Sequence, residues 1–465
     1  MFKKLLLKEV HLNLMNLRFQ VAFIIVITLF ITGSILNIKG NIEKQKLYDK
    51  YYSQWIENIR QQANSNASGL AVTPRDFLFG PRGNSFISDC KERFIPNAVT
   101  YNAFNVSDFN VRQSISNPLL NKYEEINWSF IVIFVVSLLA LLLTFDAISG
   151  EREAHTLVLL LSNPVSRGQI FLAKWLSTLL VLAITLLIGI IISLLIQMIS
   201  GSLIITLSAA MEVILFFVFS LVFSALMTCM GLLCSVLTRN SNVSLLYAVA
   251  LWLVFSIVIP NTSILWADKF YPIESLTSVI QRITSKQTEI QDSYPPEKWN
   301  ADEIHPFIPE HKIRAAMLME FMLSNKQIAD SWNQTMFRQY EKSRNITCVS
   351  PLLLFGYGME TITGGGYLRF QHNWNAIHIY QQQLLDFFKK IDAKDNDSPH
   401  WYNPWEVYST TKKPVKFEEV PLYTEEAITL EDRIVKISQI TGLMVIYILI
   451  IATVAFMKFL RSDVR

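Results

Sequence analysis

Six stretches of this chain are apolar for long enough to cross a lipid bilayer, and they decide the fold class: residues 19–36, 128–145, 175–199, 212–237, 243–260 and 437–459. About 30 Å of hydrocarbon takes roughly 20 helical residues, and backbone polar groups inside it must be satisfied within the spanning segment itself. The reading is an all-α polytopic membrane protein with six transmembrane helices. Between the runs, residues 37–127 and 261–436 are polar and hold no further run of spanning length. They are read as two extracytoplasmic insertions that together build one mainly helical domain.

Composition agrees with that division. At 51% hydrophobic and 17% charged, the chain is too apolar for an ordinary soluble surface and too charged to lie wholly in lipid. Its net charge of +3 gives no electrostatic case for nucleic acid. The basic residues mark orientation instead. Lys3, Lys4, Lys8 and Arg18 precede the first run, and Arg152, Arg167 and Lys174 lie between the second and third. Arg239 follows the fourth, and Lys458 and Arg461 close the sixth. The short turn at 200–208 has none. The positive-inside rule then puts both termini in the cytoplasm, and the expected location is a bacterial inner membrane. Residues 1–18 read as an interfacial amphipathic helix and residues 460–465 as a cytoplasmic tail. A cleaved signal peptide would share the basic start, but the first run is longer than a usual signal core.

In the first insertion, Leu47, Tyr51, Trp55 and Ile59 recur at four-residue steps, so the first span is expected to continue as a helix over 42–63. Thr73-Pro74 and Gly80-Pro81 then predict irregular structure. The second insertion is expected to hold helices over 315–340 and 367–390, with Gly364-Gly365-Gly366 as a hinge between them. Its aromatics (Trp374, Tyr380, Phe387, Phe388, Trp401, Tyr402, Trp405 and Tyr408) read mainly as core, with a lipid, peptide or glycan grip as the other option. Cys90 and Cys348 fall one in each insertion, where an oxidising periplasm would allow a disulfide between them. Cys229 and Cys234 read as small packing residues of the fourth span.

The stretch from Asp146 to Lys174 is too charged to be another crossing, and it has structure of its own. Ser149, Gly150, Glu151 and Glu153 suit a helix start, with Asp146 as a cap at the inner water boundary. Leu157, Leu160 and Leu161 then share one side of a helical repeat, and Asn163-Pro164 ends it. A short amphipathic helix hung between two crossings suits contact with something outside the bilayer.

These residues resemble the first cytoplasmic loop of permease subunits of type-2 ABC exporters, with the pattern D-x-x-S-G-E-R-E, then G-T-L, then L-S-x-P-V-S-R, then K. The matching positions here are Asp146, Ser149 to Glu153, Thr156, Leu157, Leu161, Ser162, Pro164 to Arg167 and Lys174. His155 stands where the family usually has glycine, a departure not expected to alter the loop's role. The two large insertions resemble the layout of one subgroup. The resemblance implies a permease paired with a second permease, identical or a sister chain, and with two ABC ATPase subunits. ATP and magnesium would belong to those ATPases. It also implies that Glu151, Arg152, Glu153, Thr156, Leu157, Pro164 and Arg167 form the contact through which the ATPase moves the spans. No G-x-x-x-x-G-K-[ST] phosphate loop occurs in the chain, so it is read as a transport subunit without its own ATPase site or cofactor.

Other chemistry finds less support. Glu212 opens the fourth run, as an intramembrane polar site or as an interfacial residue. His372 and His378 are six apart and point in different directions on a helix, and His305 and His311 flank prolines without a ligand pattern, so no metal is expected. The expected function is movement of cargo out of the cytoplasm or inner membrane. The alternative is an ATP-driven mechanotransmitter or assembly platform that acts on periplasmic or other cell-envelope proteins through the insertions.

Overall fold

The computed structural model describes residues 2–92, 95–106, 126–162, 165–202, 206–294, 309–403, 405 and 409–461. Asn163-Pro164, His305 and Tyr408 lie outside these residues. The chain begins with α1 (Phe2–Met15), and Asn16 then starts α2 (Leu17–Ser65) by accepting from the Arg18 N–H at 3.0 Å. After α3 (Ala67–Val72), strands β1 (Arg75–Leu78) and β2 (Ala98–Tyr101) pair antiparallel with Arg75 opposite Tyr101. This small sheet replaces the irregular structure expected there. Burial alternates along both strands, with Arg75 and Phe77 of β1 and Val99 and Tyr101 of β2 turned inward.

Next come α4 (Trp128–Phe130) and α5 (Ser137–Leu142), joined by a π-helical Ile131–Val136. The loop of interest holds α6 (Ser149–Glu153) and α7 (Thr156–Leu161), followed by α8 (Arg167–Ile199) and α9 (Leu207–Leu237). Then α10 (Ser241–Leu253) runs through a π-helical Val254–Val258 into α11 (Ile259–Phe270). The second insertion carries α12 (Leu276–Ser293), α13 (Pro309–Thr347), α14 (Pro351–Thr363) and α15 (Gly366–Asp392), and α16 (Leu430–Arg461) follows it.

Among the described residues, five helical segments are long and apolar enough to cross a membrane: Leu17–Ser65, Arg167–Ile199, Leu207–Leu237, Ser241–Ser263 and Leu430–Arg461. The sixth expected crossing is the shorter apolar helix Trp128–Leu142. Its last turn gives way to turns over 143–148, so the expected run to 145 stops early.

Three cores organise the helices. The bundle core gathers Phe30, Trp128, Leu186, Phe216, Phe223 and Met444. A second core, in the insertions, gathers Trp55, Ile59, Phe77, Tyr101, Tyr380 and Phe388. α2 serves both. Val26 and Phe30 are buried in the bundle while Trp55 and Ile59 are buried in the insertions, so its 49 residues form one rod of roughly 70 Å. Of the aromatics read as core, Trp374, Tyr380 and Phe388 are buried, whereas Trp405 is exposed.

One segment departs from the expected layout. Residues 261–436 were expected to lie wholly outside the membrane, yet α14 packs among the spanning helices. Phe355 stacks on Phe219 and leans on Phe223, with centroids 5.3 and 4.7 Å apart, about halfway along α9. The Ser350 hydroxyl donates to the Phe255 carbonyl at 2.8 Å, and Tyr447, midway along α16, donates to the Cys348 carbonyl at 3.4 Å. A 13-residue helix is too short to cross a bilayer, so α14 is a short helix packed against the longer apolar ones. The expected break follows. Gly364 takes φ +60° and Gly366 φ +62°, and a Cβ on Gly366 would sit 2.9 Å from a Glu360 carboxylate oxygen.

Candidate functional site

The loop between α5 and α8 is two helices and not one. His155 takes φ +54°, a left-handed conformation that no right-handed helix can contain, so α6 stops at Glu153 and α7 starts at Thr156. Glycine is the residue that adopts this conformation without cost.

Three of the charged side chains singled out in this loop, Arg152, Glu153 and Arg167, are spent on the ends of the long apolar helices. Ser235, near the end of α9, accepts from the backbone N–H groups of Ile148 and Ser149 at 2.9 and 3.0 Å. It does for α6 what a local cap residue would do. Arg152 Nη1 donates to the carbonyls of Val236 (3.1 Å) and Thr238 (2.9 Å), the free C-terminal carbonyls of α9. Glu153 accepts from the Ser241 N–H at 3.2 Å, placing negative charge at the N-terminus of α10. Arg167 Nη1 donates to the carbonyls of Phe459 (3.1 Å) and Leu460 (2.7 Å) at the end of α16. Lys174 of α8 is buried and reaches Glu151 at 3.2 Å and Glu9 of α1 at 3.4 Å. Asp146, expected as a cap, instead pairs with Arg18 at 2.7 Å.

Electrostatics tighten the clasp. Burial alone would raise the Glu151 carboxyl, but the Lys174 ammonium and the Thr156 hydroxyl hold it below the usual carboxylate range. Glu153 is likewise lowered, by its hydrogen bonds to Ser241.

Leu157 was expected on the contact surface. It is 2% exposed, and it packs with Ile148, Ile170, Phe171 and Phe459 in a third core beneath the loop. The apolar side chains facing outward are Val158 (53% exposed) and Leu159 (67%), which the heptad-like pattern of leucines did not single out. Thr156 is exposed beside them, and Pro164 lies outside the described residues. The resulting object is an apolar knob on a small platform bonded to the ends of α8, α9, α10 and α16. Arg152 and Glu153 tie it to backbone groups of α9 and α10, Glu151 ties it to Lys174 of α8, and Arg167 at the start of α8 ties that helix to α16.

At the far end of the bundle Glu212 occupies the first turns of α9. It is buried, accepts from Arg433 Nη1 of α16 at 2.7 Å, and accepts from Asn84 at 2.9 Å. Arg433 also donates to the Ile362 carbonyl at 2.9 Å, the end of α14. Glu212 is thus a junction between two spanning helices and the insertions. Cys90 and Cys348 are free thiols here rather than a bridge. Cys90 lies 3.1 Å from the Thr363 hydroxyl, whereas Cys348, just after α13, packs against the bundle core. Burial pushes the Cys90 thiol up to about 11, so it stays protonated near neutral pH.

Comparison with known proteins follows the same lines. A family model described as "ABC-2 family transporter protein" matches residues 4–464. Two relatives, each named "Probable ABC transporter permease protein NosY", come from Pseudomonas aeruginosa and Stutzerimonas stutzeri. Each is 54% identical over 56 residues, which cover 12% of this chain and 20% of the relative. The likeness to these two therefore spans about a fifth of their length.

Proposed function

The chain belongs to the ABC-2 family of transporter proteins, and from that premise we propose that it is the membrane permease of an ATP-driven exporter, worked by separate ATPase subunits through α6 and α7. The observation that carries this reading is the clasp. Val158 and Leu159 face outward while Arg152 and Glu153 bind the ends of α9 and α10, Glu151 binds Lys174 of α8, and Arg167 joins α8 to the end of α16. Such a part is suited to receive a push and distribute it. An apolar knob of two or three side chains is a reasonable anchor for a groove on a partner. In this reading the loop and both termini face the cytoplasm, Glu151, Arg152, Glu153 and Arg167 set the platform, and Thr156, Val158 and Leu159 meet the ATPase. ATP and magnesium stay on that partner. A second permease, the same chain or a sister, completes the assembly.

The test is reconstitution of the permease with its ATPase in vesicles. ATP-dependent movement of a defined compound that stops in Leu159→Asp supports the proposal. ATPase activity and transport unaffected by Leu159→Asp would sink it.

One observation favours the second reading, a mechanotransmitter acting on envelope proteins. α2 is continuous from the bundle core to the insertion core, so motion of the spans is delivered to the insertions without a hinge. Nucleotide-dependent change in the distance between labels on the insertions, with no flux of any cargo tested, would select it.

A further inference from the structure

At the end of the bundle away from the loop, two cavities of about 470 and 360 Å³ adjoin one another, and His372, Ile428 and Arg433 line both. We propose that they form one site for the phosphate-bearing headgroup of a membrane amphiphile. The inference is independent of how the ATPase is coupled.

The location comes first. Thr206, Ser208 and Ala209 of the larger cavity mark the N-terminus of α9, and Asp432 and Arg433 belong to the first turn of α16. Two helices of 31 and 32 residues therefore direct their positive ends toward one space. It lies where both apolar helices start, the depth of lipid headgroups. Beside Lys436, on the same wall, Val435 is 59% exposed, an apolar surface on which an acyl chain would lie.

The unspent hydrogen-bonding capacity is specific. Arg433 is 7% exposed, and its Nε has no hydrogen-bond partner among the described residues; nor does His372 Nε2. These are the two polar residues common to both cavities. Both nitrogens are shielded from water here, so a ligand oxygen reaches them only as the side chains turn toward it. Arg Nε–H is a donor only, which calls for an acceptor oxygen. Charged neighbours narrow the choice further. Glu212 is paired with Arg433 and Glu425 with Arg369 at 2.7 Å, whereas Asp432 accepts only a neutral hydrogen bond, from the Thr429 hydroxyl at 2.7 Å. Lys436, Glu426 and Asp432 are exposed at the rim, one cation and two carboxylates, so both signs of charge meet there. A zwitterionic phospholipid headgroup would answer both, its phosphate toward Lys436, His372 and Arg433 and its ammonium toward Glu426.

The test uses the full chain in nanodiscs of phosphatidylethanolamine and phosphatidylglycerol, released into detergent and weighed by native mass spectrometry. Retained phosphatidylethanolamine is expected, and its occupancy should fall roughly tenfold in the double variant His372→Gln, Lys436→Gln, as expected for loss of charge-assisted contacts. Unchanged melting of that variant rules out unfolding as the cause, and Lys436→Arg should restore retention. Equal retention by wild type and double variant would overturn the site. So would displacement of the lipid by millimolar inorganic phosphate alone, which would assign the pocket to a free anion.

Discussion

Arg167 holds the carbonyl of Leu460 at 2.7 Å, joining the start of α8 to the end of α16 across 293 positions of sequence. A charged donor on a helix-end carbonyl contributes about 1–2 kcal/mol once partial exposure is allowed for. Arg167→Gln is expected to lower the unfolding midpoint modestly and to increase hydrogen exchange in the last turn of α16. It should also uncouple ATP hydrolysis from transport, because the platform no longer drags that helix. Unchanged exchange at 455–461 would remove Arg167 from the clasp.

Leu157 and Leu159 are neighbours in sequence with opposite environments, which separates folding from contact. Leu157→Ala deletes side-chain bulk from the core beneath the loop and should cost about 2–4 kcal/mol, read as a lower melting temperature. Leu159→Asp lies on an exposed position and should change stability by less than about 0.5 kcal/mol, while releasing the ATPase on purification. Equal loss of ATPase binding in both, at equal stability, would contradict this division.

His155 stands in the left-handed region that glycine adopts most easily. His155→Gly is expected to stabilise the elbow by up to about 1 kcal/mol, since a side chain is strained there. His155→Val should do the opposite, because branching at Cβ worsens the clash. Circular dichroism melts of the three proteins, side by side, decide the order.

These contrasts show what could be read from the residues alone. The rod of α2 was legible because Trp55 and Ile59 recur at helical spacing beyond the apolar run. The loop was legible as a unit through its charges and its proline. Its two-helix form was not, since a histidine gives no sign of adopting positive φ. Arg152 and Arg167 looked like contact residues because their acceptors are backbone carbonyls of distant helices, which leave no side-chain signature. The same holds for Ser235, 86 positions from the helix it caps. α14 was read as external because residues 351–363 are too short to span, although their apolar run fits a helix buried among others.

Glu151 gives the clasp a pH dependence of determined sign. Its folded-state pKa lies below the ordinary value of 4.5, so its contribution is fully present above that value and is lost as pH falls through the lower, folded value. Acidification below about pH 4.5 should therefore loosen α6 from Lys174, and Glu151→Gln should flatten the response. Hydrogen exchange of residues 148–157 between pH 3.5 and 6, extrapolated for intrinsic rates, measures it. An identical profile in the variant would place the titration elsewhere.

Glu212 and Arg433 form the counterpart of the clasp at the other end of the bundle. Both are more than nine-tenths buried, and their contact at 2.7 Å joins the starts of α9 and α16. Removing one partner leaves an uncompensated buried charge, which costs about 3–5 kcal/mol, whereas replacing both costs much less. Glu212→Gln and Arg433→Met should each destabilise strongly, and the double variant should recover much of the loss. Because Arg433 also caps α14 through the Ile362 carbonyl, its single variant should be the worse of the two. A double-mutant cycle on thermal unfolding in detergent supplies the numbers. Strict additivity would mean that the two charges fold independently, and the proposed junction between bundle and insertions would be lost with it.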